Sequence, residues 1–153
     1  MGSSRSRIAR TGMAAAVVAG ILVAGGPVAP PADATTNAEE DLFALTNQAR
    51  VKRDRPRLRL SQSLSRKAHR HSSRMADQGS IFHHSCLSCL VSGWEWNTIG
   101  ENVGVGSTVR SVHRALMDSR PHRRNILSRA FTKIGVGVVR SGGRVWVTEI
   151  FLG

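Results

Sequence analysis

Two apolar, β-branched runs close the chain, Lys133 to Arg140 and Arg144 to Phe151, and only Ser141-Gly142-Gly143 stands between them. Runs of this kind joined by glycine-rich turn residues are the signature of an antiparallel hairpin. The first run is itself punctuated, Ile134-Gly135-Val136-Gly137-Val138-Val139.

Upstream, the apolar period changes to that of helices. Asn37-Ala38-Glu39-Glu40 has the form of a capping box, and Leu42, Leu45 and Ala49 recur behind it on one side of a helix running to about Val51. The basic stretch Lys52 to Arg59, broken by Pro56, reads as a connecting loop. A second helix starts near Ser61 and ends at Gly79; in it Leu64, Ala68, His71 and Met75 fall within about 60° of arc. His71 is thereby placed on the buried stripe as a hydrogen-bonded core residue, and His69 points away. Ser107 caps a third helix with Val109, Val112 and Leu116 inward and His113 near its edge. This helix ends around Ser119, because Pro121 disfavours helical geometry in Arg120. Three helices before a terminal hairpin give an α/β fold in which helices cover a small antiparallel sheet.

The N-terminus is of another kind. Arg5, Arg7 and Arg10 precede an almost unbroken apolar run, Met13 to Ala24, and Ala32-Asp33-Ala34 has the small-x-small form that signal peptidase accepts. The run is about a dozen residues, short of the roughly 20 that span a bilayer. Residues 1–34 are thus expected to be a signal peptide, cleaved on export with no stable membrane span left behind, and residues 35–153 a single exported domain. That domain has 119 residues, enough for one modest core. The leader carries three arginines and one aspartate, so its removal lowers the formal charge from +12 to +10. Such a charge favours polyanionic surroundings such as acidic wall polymers or anionic lipid headgroups. Nucleic acid is not an expected partner, because the basic residues are scattered, are not grouped with aromatics, and belong to an exported chain. Cys86 and Cys89 are the only cysteines. In an oxidising compartment they read as a disulfide closing a very small loop. The same spacing suits zinc or redox chemistry, although a zinc ribbon would need a second pair.

Three residues set among turn-formers carry the candidate chemistry. His84 lies in Phe82-His83-His84-Ser85, Glu101 in Gly100-Glu101-Asn102-Val103, and His122 in Ser119-Arg120-Pro121-His122-Arg123-Arg124-Asn125. Imidazole serves as a neutral ligand or a proton carrier near neutral pH, and loop settings present side chains rather than pack them. Gly100 and Gly104 flank Glu101, which lets backbone approach closely and the carboxylate face open space. The three groups could hold a divalent metal such as zinc with a position open for water. They could equally form an acid–base pair acting on water, or close a polar cleft as a hydrogen-bond network. Neither the helical His-Glu-x-x-His pattern of zinc peptidases nor a Gly-x-Ser-x-Gly elbow is present. Trp94 and Trp96, just ahead of Glu101, read as an exposed aromatic wall or as half-buried core.

In this order and spacing the three stretches, with the Ile134 to Val139 segment behind them, resemble the short bacterial branch of the CAP superfamily. That superfamily includes cysteine-rich secretory proteins, antigen 5 and pathogenesis-related 1 proteins. The resemblance runs from Leu45, Asn47 and Arg50 through Leu60, Leu64, Ala68 and Met75 to the closing Val147 to Gly153 segment. It implies a three-layer α-β-α sandwich with an open cleft, in which His84 is the first histidine, Glu101 the first acid and His122 the second histidine, His84 and His122 being the metal pair. The second acid of the best-known members belongs late in the third helix, where this chain has Ser119 with Asp118 beside it. That departure weakens paired-carboxylate catalysis. The implied function is a secreted binding module, extracellular or in the cell envelope, that takes up a lipid, sterol or wall-derived ligand. The competing expectation is a water-based, zinc-assisted hydrolase or peptidase using the same cleft, with His84 or His122 as base. No surplus apolar helical face stands out, so a monomer is expected.

Overall fold

The structure, a computed structural model, describes residues 32–153. The expected leader lies outside the described residues except for Ala32 to Ala34, which form the first turn of α1 (Ala32–Val51). Asn37 is therefore inside a helix and does not cap it. Glu39 reaches across to the sheet instead: its Oε1 accepts the N–H of Val138 at 3.1 Å and pairs with His69 Nδ1 at 2.8 Å.

After α1 come β1 (Arg59–Leu60), α2 (Gln62–Gln78), a 3-10 turn at Ser88–Val91, and β2 (Ile99–Gly106). They are followed by α3 (Val109–Asp118), α4 (Arg120–Leu127), β3 (Lys133–Ser141) and β4 (Arg144–Leu152). The strands lie in the order β1-β3-β4-β2, so β2 is an edge. β4 pairs antiparallel with both neighbours, whereas the two-residue β1 runs parallel to β3, so the sheet is mixed and not wholly antiparallel as expected. The hairpin forms with Ser141 opposite Arg144. Gly142 and Gly143 take positive φ of 57° and 69°, the conformation of a tight turn whose twist matches the strands.

Side-chain alternation along the strands gives the sheet two faces. On one, Ile134, Val136, Val138, Val145, Val147 and Phe151 pack with Leu42 of α1, Val112 and Leu116 of α3, and Ile126 of α4. On the other, Ile150 and Leu152 pack with Leu64 and Ala68 of α2. One helix, a sheet and three helices make the three-layer α-β-α sandwich. Gly135 and Gly137 let α2 lie directly on β3, since a Cβ at either would overlap the helix backbone at Leu64 or at His69.

Caps and turns follow local chemistry. Ser61 Oγ accepts the N–H of Leu64 at the start of α2, and Gly79 closes that helix. Thr108, not Ser107, caps α3. Pro121 does more than end α3: it sits in the first turn of α4, where a missing N–H costs nothing. Arg50, fully buried, donates to the carbonyls of Pro56, Ile126 and Ser128 at 2.7, 2.8 and 2.8 Å, so that three carbonyls satisfy a guanidinium taken out of water. It thereby ties the loop after α1 to the end of α4. Cys86 and Cys89 form a disulfide in the loop after His84.

Candidate functional site

The centre of the site is Glu101, on the edge strand β2. Alternation sends Glu101 and Val103 toward α2, where Val103 meets Met75, and sends Asn102 toward the three-helix layer. The sequence placed Glu101 in open space between glycines. The strand pairing buries it to 7% exposure, with Glu101 opposite Ile150 of β4. Its oxygens are nevertheless well supplied with donors. Oε2 accepts His83 Nδ1–H at 2.7 Å and the backbone N–H of His84 at 3.0 Å, and Oε1 pairs with His84 Nδ1. Burial pushes the Glu101 carboxyl up, but the hydrogen bonds from His84 and His83 outweigh it and hold the group below its ordinary value. A buried carboxylate is thus kept ionised.

His71 completes the cluster from α2. Its ring stacks on that of His84 with centroids 3.7 Å apart, and Nε2 lies 4.0 Å from Glu101 Oε1. Nε2–H donates to the Phe82 carbonyl at 2.7 Å and Nδ1 accepts from Arg74 Nη2 at 3.0 Å. Burial, partly countered by the Phe82 carbonyl, pushes its pKa down, so the ring is held neutral. The buried, hydrogen-bonded state was legible in the helix stripe. Its membership of the cluster was not, because that depends on a strand distant in sequence. His71, His84 and Glu101 each offer a ligand atom within 4.8 Å of the others, a cluster able to coordinate a divalent ion. Two imidazoles and an ionised carboxylate suit such an ion, which would replace the hydrogen bonds now made by those atoms.

His122 stands in the first turn of α4, not in a loop, and belongs to the opposite layer. It lies outside the 4.8 Å group. Its Nδ1 pairs with Ser119 Oγ at 2.8 Å, so the serine found where the second acid was expected serves the second histidine. Burial and the charge of His83 push the His122 pKa down. Asn102 ties the sheet to α4: its Nδ2 donates to the His122 carbonyl at 3.2 Å and to Glu149 Oε2 at 3.0 Å, and its Oδ1 accepts from Asn125 at 3.0 Å. Burial pushes the Glu149 carboxyl up, and the hydrogen bonds from Thr46 and Asn102 counter this only in part. Trp94 and Trp96 are exposed on the loop before β2.

The sequence pattern of the cysteine-rich secretory protein family, CAP, matches residues 43–151. The chain belongs to the CAP family. Over 122 residues it is 37% identical to the YkwD protein of Bacillus subtilis strain 168, an alignment that covers 75% of this chain and 47% of that relative. An extracellular protein containing an SCP domain, from Bacillus anthracis, superposes with a TM-score of 0.69 at 26% identity, over 84% of this chain and 45% of its own. An outer surface protein of Borrelia burgdorferi shares the fold, with a TM-score of 0.69 at 16% identity over 76% and 92% of the two chains. The chain spans about half the length of the two Bacillus relatives. CAP domains are characteristically secreted or envelope-associated, and this chain is placed with them. No helix among the described residues is long and apolar enough to cross a membrane.

Proposed function

We propose that this CAP domain is a binding module whose cleft, built around Glu101, takes up a lipid, sterol or wall-derived ligand. The observation that carries the reading is the buried, ionised Glu101 carboxylate, paired with two consecutive histidines at the free edge of the sheet. A carboxylate that has all its donors from the protein serves best as a fixed organiser of the rings around it. Residues 1–34 are read as the export signal and residues 35–153 as the working domain.

His84, Glu101 and His122 are the cleft residues of this reading. A zinc ion would be held by His84 and Glu101 with His71 as third donor, His122 being a further donor from α4, and would polarise an oxygen of the ligand. The chain's own residues orient: Glu101 fixes the His84 ring through Nδ1, and Ser119 fixes that of His122.

One observation favours a second reading. His84, with Nδ1 on Glu101, also lines a cavity, and an imidazole oriented through one nitrogen can act as a general base through the other. A hydrolase of that kind would work on water. Incubation with labelled fatty acid, sterol, wall fragments and casein separates the two readings. A binding module retains one ligand class saturably and unaltered, and loses it in His84→Ala. Turnover of any of these that disappears in His84→Ala overturns the binding reading, and so does failure to retain any class.

A further inference from the structure

The second wall of the His84 cavity differs in character from the Glu101 cluster. A cavity of about 390 Å³ is lined by Lys67, Arg70, Ser73, Arg74, His84 and Leu90. The three cations are spaced three and four residues apart along α2, so they form one column along one side of the helix. The disulfide-closed turn, through Leu90 beyond Cys89, supplies the facing wall.

A column of like charges on a helix is unfavourable unless something neutralises it. Among the described residues no carboxylate pairs with them. Every ion pair among the described residues involves a histidine, so none of the three cations meets a carboxylate within 4 Å, and no acidic residue lines the cavity. Asp77, three residues beyond Arg74 on α2, makes no ion pair, and the oxygens of Glu101 are committed to His83 and His84.

Two of the three cations are also held in place. Arg74 Nη2 is anchored on His71 Nδ1 at 3.0 Å, and Lys67 Nζ lies 5.9 Å from the centre of the Trp94 ring. Two guanidiniums, an ammonium and a serine hydroxyl are a donor set for a multiply charged oxyanion. Arg forks match the paired oxygens of a phosphoryl group.

We infer that this cavity is a phosphate-binding pocket, taking the phosphate group of a small ester or a lipid headgroup. It gives the ligand of the proposed cleft a charged end and rests on the reading that the cleft binds a ligand. The test is a calorimetric titration with inorganic phosphate at low salt in metal-stripped buffer. It compares the unaltered chain with Lys67→Ser/Arg70→Ser, and with Arg110→Ser/Arg114→Ser, which removes the same charge from α3 in the opposite layer. The α2 pair is expected to weaken binding at least tenfold and the α3 pair less than twofold. Equal losses in the two variants, or no loss in the α2 pair, overturn the pocket. Sedimentation with phosphatidic acid vesicles against phosphatidylcholine vesicles then gives the source. Retention on the acidic vesicles that the α2 pair abolishes assigns a headgroup, and binding of free phosphate alone assigns a soluble ester; both uphold the pocket. A loss of phosphate binding confined to the α2 pair reads this cavity, whereas retention of the uncharged sterol reads the Glu101 cleft, so failure of one is distinguishable from failure of the other.

Discussion

Glu101 and His113 show two opposite ways of burying a titratable side chain. Glu101 is surrounded by donors and stays charged. His113 is 9% exposed on α3, and its Nδ1 is buried with no hydrogen-bond partner. Burial and the neighbouring charge of Arg110 push its pKa down, so it is kept neutral without being satisfied. An orphaned buried acceptor costs about 1–3 kcal/mol. Replacing the ring by an apolar side chain of similar size should recover part of that. His113→Leu is expected to raise the unfolding free energy by about 1 kcal/mol, read from urea denaturation. A loss of stability in that variant would mean that the nitrogen has a partner in solution.

At the level of elements, β3 and α2 depend on each other through two missing side chains. Gly137→Ala would place a methyl group into the backbone of α2 at His69, and the helix would have to lift off the sheet. A loss of about 3 kcal/mol is expected, against the small gain that alanine gives where there is room. An unfolding midpoint equal to that of the unaltered chain would show that α2 can shift freely. The terminal hairpin and α2 were legible in the sequence because their signals are local: a glycine pair between apolar runs, and a helical stripe bounded by Ser61 and Gly79. β2 was not. Its eight residues include three glycines and lack a run of large apolar residues; what makes them a strand is pairing with β4, about 45 positions away, as in Asn102 opposite Glu149. The resemblance gathered His84, Glu101 and His122 into one cleft, but for the same reason the burial of Glu101 and the stacking of His71 on His84 were not legible. The fourth helix was hidden by Pro121, which read as a stop and serves as a start.

For the whole molecule, burial acts on several histidines at once. His71, His113 and His122 all have their pKa pushed below the ordinary value by burial. Between their folded and unfolded values the unfolded chain binds more protons, so stability rises with pH there and is lost on acidification below about 6.5. Glu149, pushed up by burial, acts the other way: the folded state keeps its proton longer, so its contribution falls as pH rises above the usual carboxylate range. Three groups against one predict lower unfolding free energy at pH of about 5.5 than at about 7.5, with denaturation curves as the check. The three layers also explain why one edge of the sheet carries the chemistry. Only there can side chains from α2, from the loop after it and from α4 reach one strand. Zinc titration by calorimetry tests that convergence most directly, with the purified chain beside His84→Ala and Glu101→Gln. One zinc bound per chain, weakened at least tenfold in both variants, is the predicted result; no binding, or equal affinity in all three proteins, would contradict it.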